Sequence, residues 1–169
     1  MIELLRLSHR IERDKRITTH VFLTARSLKI EKAFYSGQKD SNMERSLNKI
    51  TESFGGPFEI SYIKSPLTLI KEKKQQGYKI VHLTMYGMPF DQTKIDEKNI
   101  LYIVGSEKVP PEIYQEADYN ISVSQQPISE VSALGILLYK NHGFKQDFKD
   151  KKIEVMPKAK GKLLKTHKL

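Results

Sequence analysis

The sequence contains no cysteine. A disulfide framework, a zinc ribbon and a thiolate nucleophile are all excluded, and the composition suits a reducing compartment. No stretch approaches the roughly 18 consecutive apolar residues of a membrane-spanning helix. The first residues, Met1 to Arg16, turn basic within a few positions and hold no apolar run of signal-peptide length. We expect a soluble, cytoplasmic protein with no membrane attachment. Two phosphate-binding signatures are also missing. There is no GxxxxGK[ST] loop and no GxGxxG fingerprint, which removes the main support for an NTPase or a nicotinamide-dependent dehydrogenase. The histidines, at positions 9, 20, 82, 142 and 167, show no HExxH-like spacing, and no metal site is expected.

What is present is a chain of 169 residues, the length of one compact domain that can bury a core without covalent or metal staples. Its net charge of +9 is unevenly placed. From Lys140 onward ten lysines face only Asp147, Asp150 and Glu154. Such a tail favours polyanions without reading their sequence, and equally suits a solubilising, disordered extension. A boundary near residue 145 separates a domain over 1–145 from a Lys-rich extension over 146–169.

Short apolar, β-branched runs alternate with amphipathic stretches. Strands are expected at Ile2–Leu7, Ala33–Tyr35, Phe58–Ile63, Lys79–Thr84, Asn99–Val104 and Tyr119–Val123. Helices are expected at Thr18–Leu28, Ser41–Phe54, Pro66–Gln76, Pro110–Glu116 and Ser129–Tyr139. The runs KIVHLT and NILYIV are nearly continuous in apolar residues, as in central parallel strands covered on both faces. Strand–helix alternation predicts an α/β fold, a mostly parallel sheet with helices on both faces.

In such sheets ligands bind beyond the carboxyl ends of the strands. Three segments lie there: Leu83–Gly87, Gly105–Val109 and Val123–Glu130. Gly105 permits a sharp turn, and a helix beginning at Ser129 offers free N–H groups. Taken singly, each is also an ordinary βα loop. His82, inside an apolar strand, is expected to be a hydrogen-bonded core residue. The second concentration of chemistry is Arg6, His9, Arg10, Arg13, Lys15 and Arg16, with Glu12 and Asp14 between them. Arginine forks suit phosphate oxygens, and the local acids offer a competing explanation in ion pairs.

Together these segments resemble a known family. The run from Arg6 to Val21 (RLSHRIERDKRITTHV), continuing through Thr24-Ala25-Arg26, is similar to the opening of the archaeal tRNA cytidine-56 2′-O-methyltransferases. The similarity continues through His82–Gly87, Ile103–Pro110 (IVGSEKVP) and Ala117–Leu134 (ADYNISVSQQPISEVSAL). It implies the SPOUT superfamily: a sheet with a C-terminal trefoil knot, a homodimer, a tRNA substrate and S-adenosylmethionine as methyl donor. Knots are nearly absent from proteins in general, and this one is implied by the family alone. By position, the resemblance puts the cofactor against Leu83, Gly105, Ser106, Glu107, Lys108, Val109, Val123, Ser124, Gln125, Gln126, Pro127, Ile128, Ser129 and Glu130. It implies a catalytic arginine, Arg16 first and Arg26 second. It leaves Arg6, His9, Arg10, Arg13 and Lys15 to RNA. Ser8 and Ser124 stand where the family usually has glycine, and Ile128 where it has histidine. Two other functions are compatible with the residues: a SPOUT enzyme with a different RNA target, and a non-enzymatic RNA-binding protein relying on the tail.

Overall fold

The computed structural model describes residues 1–105 and 108–167, with Lys15 described by its backbone alone. In chain order the elements are β1 (Ile2–His9), α1 (Ile11–Ser27), β2 (Lys32–Gly37), α2 (Ser41–Phe54), β3 (Glu59–Tyr62), α3 (Pro66–Gln75), β4 (Lys79–Pro89), β5 (Ile100–Val104), α4 (Pro111–Glu116), β6 (Tyr119–Ser122), α5 (Glu130–His142), β7 (Ile153–Val155) and β8 (Leu164–Thr166). Six strands form one sheet in the order β3-β2-β1-β5-β4-β6, and each pairing is parallel.

The sheet is covered on both faces, which is why its central strands are apolar without alternation. All five residues of β5 are buried. On one face Leu4, Tyr102 and Val104 pack with Val21 and Phe22 of α1 and Leu134 and Leu138 of α5. On the other, Leu5, Leu7, Ile80 and Ile103 pack with Ile70 of α3 and Ile113 of α4. Strand order reverses between β1, whose chain continues to β2, and β5. In open parallel sheets that switch point opens a crevice at the carboxyl ends.

Helix starts follow local capping chemistry. The Asp40 carboxylate accepts from the N–H groups of Asn42 (3.1 Å) and Met43 (3.0 Å). Ser129 Oγ accepts from Val131 N–H at 3.2 Å, the expected cap of α5. One boundary differs from the sequence expectation. Helix α1 begins at Ile11 rather than Thr18, so the arginine-rich segment is helical. Glu12 and Asp14 in its first turn complement the helix dipole, and Gln38 Oε1 accepts from Ile11 N–H at 2.7 Å.

The chain beyond 145, where no regular element was expected, forms the antiparallel hairpin β7–β8. It is moored to the ends of α1 and α2. Gly56 and Lys149 exchange backbone hydrogen bonds of 2.8 and 2.9 Å, Lys152 N–H donates to Ser53 O (3.0 Å), and Lys145 N–H donates to Ser27 O (2.9 Å). Arg26 donates to the Gly55 carbonyl, and its guanidinium lies 4.4 Å from the centroid of the Phe148 ring.

Ser8 has φ 54° in a bulge that interrupts the β1–β2 register. Its N–H donates to Ser36 Oγ at 3.1 Å. Left-handed backbone costs an L-residue roughly 1–2 kcal/mol, and glycine escapes it. Ser124 is not among the residues with positive φ, and its side chain carries no such strain. Ser8→Gly should therefore raise the melting temperature, by about 2–4 °C per kcal/mol recovered; a lowered value in a thermal melt would refute the strain.

Candidate functional site

At the strand order's reversal lies a cavity of about 580 Å3. It is bounded by the carboxyl ends of β1, β4, β5 and β6 and by the first turns of α1 and α5. Its wall between the strands is apolar, with Leu83, Val104, Val109, Ile121 and Val123, whereas Arg6, Asp14 and Glu130 bring charge to one side. After Leu83 the chain leaves its register with β6 and returns to it at Met88, so Thr84–Gly87 bulge into the wall. Gly87 makes the return possible: a Cβ there would sit 2.5 Å from backbone atoms of Asn120 and Ile121. At Gly105 a Cβ would collide with Val109. With Val109 in this position there is no room for a side chain at Gly105.

Arg6 organises the charged side. It is 1 % exposed and donates one guanidinium nitrogen to the Gly105 carbonyl and another to Glu130 Oε1 at 2.9 Å. One fork thus joins β1 to the loop after β5 and to the start of α5, the geometry that arginine alone among cations provides. Burial pulls its pKa below the ordinary guanidinium value, while Glu130 and Asp14 oppose the shift. Glu130 is in turn placed by the Ser129 cap.

His82 faces the α4 side of the same wall. Asn120 Nδ2 donates to Tyr114 O (2.9 Å), which orients the amide so that its oxygen accepts from His82 Nδ1–H at 2.8 Å. The tautomer follows: Nε2 carries a lone pair, and it has no hydrogen-bond partner among the described residues. Burial lowers the pKa of this imidazole, against a smaller opposing effect of Asn120, and keeps it neutral. The expected hydrogen-bonded core histidine is present, with one nitrogen left over at the cavity wall.

Along the mouth, Arg10 Nε donates to Asp14 Oδ2 at 3.0 Å. Burial works against the Asp14 carboxylate, but Arg10 and Arg6 outweigh it and hold its pKa below the ordinary value. His9 turns inward, with Nδ1 2.9 Å from Thr18 Oγ1 and Nε2 3.4 Å from Asp40 Oδ2.

The structure therefore sorts the residues singled out from sequence. Leu83, Gly105, Val109, Val123, Ser124, Gln126, Pro127, Ile128 and Glu130 line the cavity; Lys108, Gln125 and Ser129 do not. Ser106 and Glu107 lie outside the described residues, as does the Lys15 side chain. Arg10 and Arg13 line the mouth. Arg6 and His9, grouped with them as RNA-facing, are corrected here: at 1 % and 0 % exposure both are buried and bonded within the fold. Arg16 is exposed on α1 and does not line the cavity of its own chain. Arg26 stands at the opposite end of α1, committed to Gly55 and Phe148. Sequence reasoning missed Tyr114 and Asp14 as wall residues. Their spacing carries no signal, because α4 and α1 bring them in from distant parts of the chain. Among the described residues no group of three or more His, Asp or Glu could hold a metal ion, and no helix is long and apolar enough to cross a membrane.

Comparison with known proteins agrees with this geometry. The pattern of a family described as tRNA ribose 2′-O-methyltransferase, aTrm56, matches residues 54–165. A tRNA (cytidine(56)-2′-O)-methyltransferase of Methanocaldococcus jannaschii is 46% identical, the match covering 97% of this chain and 96% of that protein. The enzyme of the same description from Thermococcus kodakarensis is 42% identical over 96% and 95%. Among solved structures, a TrmH/SpoU tRNA modifying enzyme of A. aeolicus superposes with TM-score 0.65 at 17% identity, covering 82% of this chain and 72% of that one. The SpoU methyltransferase AviRb from Streptomyces viridochromogenes, in complex with the cofactor AdoMet, gives TM-score 0.60 at 12% identity, covering 83% and 56%. At such identities these two likenesses concern the fold, which is that of the SpoU/TrmH enzymes.

The buried imidazoles make stability pH-dependent. Burial is the leading cause that lowers the pKa of His9, His82 and His142 from 6.5. On acidification the unfolded chain takes up these protons first, so stability falls as the pH drops below about 6.5. Asp14 and Asp40, held below 3.8, remain ionised until the pH approaches that value and leave the interval to the histidines. Urea unfolding should show a smaller unfolding free energy at pH 5 than at pH 7; equal or greater stability at pH 5 would contradict the assignment.

Proposed function

This chain belongs to the tRNA ribose 2′-O-methyltransferase family, and on that footing we propose that it methylates the 2′-hydroxyl of cytidine 56 in tRNA, using S-adenosylmethionine in the cavity at the sheet's switch point. The observation that carries this is the Arg6 fork, which fastens the Gly105 turn and the start of α5 on either side of that cavity. We place the protein in the cytoplasm as a homodimer, with the family's trefoil knot at the cofactor site.

The residues present fit the cofactor. The volume is in the range of small-molecule sites, about 300–1,000 Å3. Leu83, Val109, Ile121 and Val123 suit the faces of an adenine. Glu130 suits an ammonium group, and the orphaned Nε2 of His82 is an acceptor for a ligand N–H or O–H. When bound, S-adenosylmethionine supplies an electrophilic methyl group on a sulfonium. Leu83, Gly105, Val109, Val123, Ser124, Gln126, Pro127, Ile128 and Glu130 would hold it, and the cavity would restrict its orientation relative to the incoming hydroxyl, which removes an entropic barrier.

On the RNA side the chain must place a weakly acidic hydroxyl and stabilise the charge that develops on it. A guanidinium stays protonated near neutrality and is no free base. It can bind the adjacent phosphate and offset alkoxide character. We assign that role to Arg16, with Arg10 and Arg13 at the mouth binding neighbouring phosphates. Because Arg16 is exposed and outside its own cavity, it serves the site of the partner in the homodimer. The exposed Ile17, Ile136 and Tyr139 on α1 and α5 supply apolar surface for that contact.

Three experiments test these assignments. Arg16→Ala should abolish transfer of labelled methyl to a tRNA transcript yet bind S-adenosylmethionine normally. Mixed with a variant defective in cofactor binding, it should recover about a quarter of wild-type activity, from mixed dimers with one complete site in half the population. Undiminished turnover removes Arg16 from catalysis, and absence of recovery removes the shared site. Arg6→Lys retains the charge and loses one of two charge-assisted bonds, worth about 1.5–3 kcal/mol. The cofactor affinity should fall roughly tenfold or more in titration calorimetry, and an unchanged affinity would refute the clamp. A transcript with 2′-deoxycytidine at position 56 should accept no methyl group.

A further inference from the structure

We propose that the β7–β8 hairpin is a second RNA-contacting surface, remote from the methyl-transfer cavity of its own chain, which binds the tRNA phosphate backbone through Lys158, Lys160 and Lys162. The proposal rests on tRNA being the substrate.

Three observations carry it. The first is charge. Lys152, Lys158, Lys160, Lys162 and Lys165 are all exposed. Glu154, the single acid of the hairpin, is engaged by Lys151 and by His167 at 3.0 Å. Lysines at alternate positions through the connecting turn present a row of cations to one polyanionic strand. The second is mooring. A two-stranded hairpin is marginal on its own, yet this one is fixed through Gly56–Lys149, Lys152–Ser53 and the Arg26–Phe148 stack. A solubilising tail needs no such attachment. The third is location. The mooring points are the last residues of α1 and α2, and the first residues of both helices lie at the cavity end of the sheet. With 14 residues in α2 and about 1.5 Å of rise per residue, some 21 Å separates the two ends. Only an extended ligand can occupy cavity and hairpin together, and a folded tRNA is one. Val155 and Leu164, cross-strand neighbours 63% and 57% exposed, lie beside the lysines as apolar surface for sugar and base faces.

The test uses the full-length protein with Lys158, Lys160 and Lys162 all replaced by Gln, and in parallel by Arg. Fluorescence anisotropy measures affinity for full-length tRNA and for a short stem-loop carrying only the target loop, across a salt series. The Gln variant should bind full-length tRNA about tenfold more weakly, with a salt slope reduced by about 2–3. Its stem-loop affinity, S-adenosylmethionine affinity and kcat at saturating tRNA should be unchanged, and the Arg variant should restore binding. Unchanged binding and slope for full-length tRNA would overturn the proposal. So would equal losses for both RNAs, or a changed oligomeric mass without changed RNA affinity, which would make the hairpin a contact between copies. Wild-type protein that binds neither RNA would overturn the tRNA substrate itself, and the hairpin proposal with it.

Discussion

A single buried cation sets the geometry on which the cavity depends. Arg6 sits on the central strand, sealed from solvent, and its fork spans a carbonyl after β5 and a carboxylate at the start of α5. A charge in that position is tolerable only because both its partners are polar and correctly placed; removing either would leave a buried ion uncompensated. The constraint works in both directions. The Gly105 turn must present its carbonyl inward, and α5 must begin where Ser129 can cap it and Glu130 can reach back. Two loops far apart in the chain are thereby held at one spacing.

From this anchor the molecule divides its chemistry by level. Inside the sheet's edge are buried groups set against one another: Arg6 with Glu130, His82 with Asn120, His9 with Thr18 and Asp40. Outside it, on the first turns of α1, stand the arginines that meet solvent. Asp14 joins the two levels, since it is bonded to Arg10 at the mouth and attracts Arg6 beneath.

Much of the fold was legible from sequence because the strongest strands are buried on both faces and lack alternation, and because Gly55, Gly77 and Pro66 mark element ends. The three loops at the carboxyl ends followed from strand position. Other features were hidden for identifiable reasons. The early start of α1 was masked because its inward positions include Asp14, a buried carboxylate whose partners come partly from β1. Arg6 read as a phosphate ligand by residue type; its burial depends on Glu130, 124 positions away. The bulge at Thr84–Gly87 depends on the register with β6. Strands of three residues, rich in lysine, give β7 and β8 no periodicity to detect.

The strand pairing also bears on how the chain is made. β1 precedes the other strands of the sheet in chain order, and it lies in the middle of the finished sheet. Its neighbour on one side, β2, follows within a few dozen residues, but the other edge is closed by residues 100–104. Until then that edge of β1 stays open, with its backbone groups available to any passing strand. The early synthesis of α1, whose Val21, Phe22 and Ala25 cover one face of that strand, gives the nascent chain partial shelter. The same long-range closure that builds the cavity last makes this a fold whose completion waits on translation.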